Sequence, residues 1–108
     1  MRNQEEFPSQ HPSPLSGRRA DIERLEAQLA EWTALIAQCR AHAKRAEAAA
    51  RIQFEKLADD LQFLRNEAGA QVMLLKGTPG PGWQDAFSEL DRSWGTIRSA
   101  FRKAETRI

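Results

Sequence analysis

From Arg18 to Lys76 the chain contains no proline and a single glycine, Gly69. A stretch of that length without a helix breaker reads as one continuous helix, roughly 90 Å long at 1.5 Å per residue. Apolar or small residues recur along it at Ile22, Leu25, Leu29, Trp32, Ile36, Cys39, Ala43, Ala46, Ala50, Phe54, Leu57, Leu61, Leu64, Ala68 and Leu75, mostly in alternating steps of three and four. That alternation is the seam of a coiled coil. Between Ala43 and Phe54 the steps become three, four and four, a stutter that locally unwinds a supercoil. The stutter falls in the alanine-rich segment 41–50, where small side chains allow helix axes to approach closely.

The long helix ends where Gly77-Thr-Pro-Gly-Pro-Gly82 joins a glycine stop to two prolines lacking a backbone N–H. No Gly-Lys-Ser/Thr sequence closes that loop and no strand precedes it, so it is not a phosphate cradle. A second amphipathic helix follows over 83–107, in a pattern that places Trp83, Phe87, Leu90, Trp94, Ile97, Phe101, Ala104 and Ile108 in alternating steps of four and three. Acidic residues lie toward its start and basic ones toward its end, as the helix dipole favours. The expected fold is therefore all-α: a long helix over 18–76, a loop over 77–82 and a shorter antiparallel C-terminal helix. The hairpin core is Phe54, Leu57, Leu61 and Leu64 against the aromatic face of the second helix. Residues 1–17, with Pro8, Pro12 and Pro14 among polar residues, read as a disordered arm.

Such a hairpin covers the long helix back only to about Ala50. It leaves Ile22, Leu25, Leu29, Trp32, Ile36, Ala43, Ala46 and Ala50 as an unpartnered seam. At about 1.5–3 kcal/mol for each large apolar side chain, that exposure is too costly to persist. A homo-oligomer is expected, an antiparallel dimer crossing at the alanine segment, with a three-helix bundle at each end. A parallel dimer or capture by an unknown protein partner would satisfy the same seam.

Composition narrows the chemistry. Sixteen basic residues against fifteen acidic ones leave a net charge of +1, so no overall field attracts nucleic acid. The local cluster Arg40, His42, Lys44 and Arg45 has no aromatic platform beside it and reads as a solvated face. Opposite charges at Glu47/Arg51, Arg51/Glu55 and Lys56/Asp60 support an exposed helix. One cysteine excludes an intramolecular disulfide and a multi-cysteine zinc site. Cys39, on the seam, reads as a small core residue; a thiol paired with His42 lacks a third, orienting group. Glu55, Asp59 and Asp60 lack the Glu-x-x-His partner of a di-metal bundle site. No catalytic, metal-ligating or cofactor-binding residues are assigned, and the chain is not read as an enzyme. Neither a secretory signal nor an apolar run of about eighteen residues is visible, so a cytoplasmic protein is expected.

The segment Trp83-Gln-Asp-Ala-Phe-Ser-Glu-Leu90-Asp-Arg-Ser-Trp94-Gly-Thr-Ile97, preceded by a long Ala/Glu/Arg/Lys-rich helix, resembles a family of small bacterial coiled-coil proteins. These carry two tryptophans eleven residues apart in a C-terminal amphipathic helix, and some are described as stress-response proteins. The similarity spans roughly Arg19 to Arg107. This chain departs from it in its Pro-Gly-Pro-Gly loop and in Gly95. The resemblance implies a helical interaction protein with a stress-related role, and no catalytic residue.

Two functions are consistent with these residues. The first is a non-catalytic coiled-coil interaction or scaffold protein acting through a self-associated bundle. The alternative is a peripheral lipid-surface protein whose Trp83, Phe87, Trp94 and Phe101 face opens onto a membrane, with Arg98, Arg102 and Lys103 near head groups.

Overall fold

The computed structural model describes residues 14–108, with side chains from residue 17 onward. Three helices account for nearly all of them: α1 (Pro14–Arg45), α2 (Ala48–Lys76) and α3 (Gly80–Glu105). The expected helix over 18–76 is therefore two helices. The chain reverses at Ala46 and Glu47, and α1 and α2 lie antiparallel. The longest dimension of the molecule is 64 Å, well short of the unbroken rod.

Energetics explains the reversal. Glu47 takes an extended conformation (φ −88°, ψ 171°), and the break forfeits a few backbone hydrogen bonds at about 1 kcal/mol each. In return Leu25, Leu29, Trp32, Leu35, Ile36 and Cys39 become buried within the same chain, at about 1.5–3 kcal/mol for each large side chain. Burial outweighs helix propensity, which is a weak local preference. The arrangement of three helices foreseen at each end of a dimer thus forms within one chain.

Cross-helix contacts record the register of α1 against α2. The Lys76 Nζ donates to Glu26 Oε2 at 3.0 Å, Arg65 Nε to Thr33 Oγ1 at 3.0 Å, and Arg40 Nη1 to Asp59 Oδ1 at 3.2 Å. At the open end, Arg18 Nη2 donates to the carbonyls of Lys76 (3.1 Å) and Thr78 (2.7 Å), and its guanidinium lies 5.4 Å from the Trp83 ring centroid. An arginine unfavourable at the start of α1 is favourable here, because it faces the negative end of α2.

Helix boundaries also shift. Residues 14–17 are helical, so α1 starts ahead of the expected position; residues 1–13 of the expected arm lie outside the described region. The second connection is only Gly77–Pro79, not 77–82. Pro79 is the N-cap of α3 (φ −62°, ψ 154°), and Pro81 occupies its first turn, where no N–H is required.

The core is apolar, with no buried polar or charged residue among those described. Leu61, Trp83, Leu90, Trp94, Ile97 and Phe101 are buried as expected, while Phe54, Leu57, Leu64 and Phe87 pack against the core partly exposed. Of the seam assigned to self-association, Leu25, Leu29, Trp32, Ile36 and Ala43 are buried inside the chain and Ile22 packs beside them. Ala46 sits half-buried at the reversal and Ala50 is exposed. Ala50 keeps the phase of the α2 stripe but lies in the first turn of α2, beside the reversal. Leu35, Ala58 and Val72 join the core although they lie outside the expected seam. The widening on α2 follows from its position: one edge faces α1 and the other α3, so it buries more than a single stripe.

Trp32 closes the bundle. Its ring stacks on Phe101 (centroids 4.6 Å apart, planes at 7°) and tilts against Trp94 (5.0 Å, 45°). Trp32→Ala is expected to cost about 3–5 kcal/mol. The loss is read by thermal denaturation of dilute protein followed by circular dichroism; an unchanged midpoint would contradict the closing role of this ring.

Candidate interaction surface

The alanine-rich reversal disperses the residues that a reactive or charged site would need together. Cys39 is fully buried, with its Sγ 3.8 Å from the Phe54 carbonyl oxygen. The His42 ring instead lies against the Phe54 ring at 5.5 Å between centroids. Burial pushes the Cys39 thiol above its ordinary value of 9.0, and the positive charges of Arg107 and Arg40 offset part of that. Arg40 is engaged by Asp59, Lys44 and Arg45 are exposed, and Lys56 pairs with Asp60 at 3.1 Å. Arg51, placed by spacing between Glu47 and Glu55, reaches the Ala46 carbonyl at 3.5 Å and so covers a free carbonyl at the end of α1. Among the described residues no group of three or more His, Cys, Asp or Glu side chains is arranged to hold a metal.

The aromatic face of α3 points inward. Trp83, Trp94 and Phe101 are buried, and Trp83 stacks on half-buried Phe87 at 5.2 Å. Among the described residues, three buried side-chain atoms have no hydrogen-bond partner within the chain: Trp83 Nε1, Trp94 Nε1 and Gln71 Oε1. Gln71 Nε2 does find one, donating to Ser93 Oγ at 3.2 Å across the α2–α3 contact.

What stands out on the outside is a set of large apolar side chains on α2: Ile52 (66% exposed), Phe63 (64%), Met73 (69%) and Leu74 (74%). Ile52, Phe63 and Leu74 are spaced by eleven residues, about three helical turns, so they share one face. Ala70, also exposed, falls on that face between Phe63 and Leu74. Leu74 additionally lines an open groove between α2 and α3 with Leu75, Ala86 and Leu90, and Met73 lines one between α1 and α2 with Leu29 and Val72. Sequence reasoning missed all four exposed residues because it assigned value only to the seam. The eleven-residue spacing of Ile52, Phe63 and Leu74 was the available signal.

No protein-family model, curated protein or solved structure matches the chain. No helix among the described residues is long and apolar enough to cross a membrane.

The buried thiol carries a measurable consequence. A raised folded-state value leaves folding stability unaffected while both states are protonated. It then reduces stability as pH climbs past the ordinary thiol value, because the unfolded chain ionises first. Urea denaturation between pH 7 and 10 should therefore show a decline above pH 9 that is shallower in Cys39→Ala. Equal declines in the two proteins would contradict the burial described for this thiol.

Proposed function

We propose that the protein is a non-catalytic interaction or scaffold protein, a self-associating helical bundle that offers its surface to a protein partner. The observation that carries this reading is the outward face of α2, where Ile52, Phe63, Met73 and Leu74 remain more than half exposed beside an otherwise closed apolar core. Side chains of this size are what a partner helix covers in a helix-in-groove contact, anchored at helical spacing. The grooves flanking α2 continue that surface on both sides.

A protein partner is favoured over a lipid surface because the aromatic residues needed for lipid are spent on the core. Turning Trp94 and Phe101 outward would separate both from Trp32. The exposed residues of α2, by contrast, are available without any rearrangement.

The test is capture from native extract by the wild type and by a Phe63→Asp/Leu74→Asp variant. Both substitutions are on the surface, so the helical signal should be retained and the change in stability should stay within about 0.5 kcal/mol per site. Proteins retained by the wild type should fall at least tenfold on the variant. Retention of the same set by a folded variant would refute the assignment of this face.

A further inference from the structure

The reversal between α1 and α2 is made by residues that do not favour a turn. Ala46 and Glu47 are flanked by Lys44 and Arg45 on one side and by Ala48, Ala49 and Ala50 on the other, with neither glycine nor proline present. All are good or acceptable helix formers. Glu47 is the N-cap of α2 yet makes no side-chain capping bond, and glutamate is not among the residues that cap well. Locally, a continuous helix is the preferred conformation, and only the burial of α1 opposes it.

The helical phase carries through the reversal as well. Ala43, buried in α1, and Leu61, buried in α2, are eighteen residues apart, which is about five whole turns. Were α1 and α2 one helix, their buried stripes would lie on the same side of it. A hairpin imposes no such coherence, since a turn can rotate one helix relative to the other. The register of the α1–α2 contact is equally compatible with two chains. Arg40 with Asp59, Thr33 with Arg65, and Glu26 with Lys76 have their midpoints at residues 49–51. A two-fold axis through that point would relate two antiparallel rods by the same pairs, with the small residues Ala48–Ala50 at the crossing.

We propose that two copies of this chain exchange α1: the reversal at Ala46–Glu47 straightens into helix, and α1 of each chain packs on α2 and α3 of the other. Every α1 contact described above is kept in the exchanged dimer, now between chains. The gain is the helix restored across the reversal, and the opposing term is the entropy of association, so the balance depends on protein concentration. This deepens the self-association within the proposed function and does not involve the outward face of α2. Phe63→Asp/Leu74→Asp should leave the exchange intact, so the two readings fail separately.

Ala48→Pro discriminates between the two forms. Proline is suited to the first helical position and drives the preceding residue to extended geometry, which Glu47 already has. In a helix running through the reversal, the same proline would remove a hydrogen bond and clash with the preceding turn. After refolding at high concentration, light scattering behind size exclusion should give the wild type a species of twice the 12.2 kDa chain mass. Ala48→Pro should shift the monomer–dimer midpoint at least tenfold toward higher concentration. A second measurement keeps the native reversal. In a Cys39→Ala background, chains carrying Arg40→Cys and chains carrying Asp59→Cys are refolded together and treated with a short bis-maleimide; the dimer fraction should yield the mixed covalent dimer. A wild type that is monomeric at every concentration would overturn the exchange. So would a dimer that does not cross-link, or one that Ala48→Pro leaves unchanged.

Discussion

The contact of Trp32 with Phe101 and Trp94 turns two hairpins into one bundle. α1 and α2 share one interface and α2 and α3 another, but a shared middle helix alone would let the outer two splay apart. Trp94 and Phe101 are seven residues apart, about two turns, so both project from one side of α3. The Trp32 ring meets both, lying flat on one and tilted on the other. Around it the α1–α3 boundary is extended by Leu25 near Phe87 at one end and by Leu35 near Ile108 at the other. The arrangement gives Trp94 Nε1 no hydrogen-bond partner from the chain itself. Aromatic packing governs this boundary.

The same contact explains which part of the fold could be read from residue order. The seam positions of α1 were legible because they are spaced for burial, and Leu25, Leu29, Trp32 and Ile36 are indeed interior. What covers them was not legible. A stripe states that a partner is required, while choosing between the same chain and another depends on whether the chain can turn. Here it turns at Ala46–Glu47, through residues with no turn signature. Ala50, in phase with the stripe, is exposed because it lies in the first turn of α2, beside the reversal. Ala58 and Val72 were missed for a related reason: a helix gripped from two sides buries positions adjacent to its seam as well as the seam itself.

Charge contributes selection more than strength. The Arg40–Asp59 and Lys76–Glu26 pairs are substantially exposed, and such pairs each contribute about 0–1 kcal/mol. They nevertheless recur along the α1–α2 contact with nearly common midpoints, so a slip of one helix along the other would break them together. Arg18 acts at the end of that series. By donating to the carbonyls of Lys76, the last residue of α2, and of Thr78 in the loop after it, while lying over Trp83, it connects the start of α1 to both α2 and α3. Its position near the start of its own helix, unfavourable in isolation, is resolved by the antiparallel neighbour.

Function was less legible than fold because the candidate surface consists of what the core does not use. Ile52, Phe63, Met73 and Leu74 fit no seam and form no chemical motif, and single exposed apolar residues are ordinary on any protein. Their significance depends on geometry that exists only once α2 is flanked by two neighbours. Its inner edges are then occupied by α1 and α3, and one side remains outward. On that side three of the four recur every eleven residues, which keeps them within a narrow sector of an α-helix over its full length. Residues that had merely escaped the core would have no reason to align along the axis. Alignment on the one helix whose other sides are covered is instead what a further helix, laid along α2, would require.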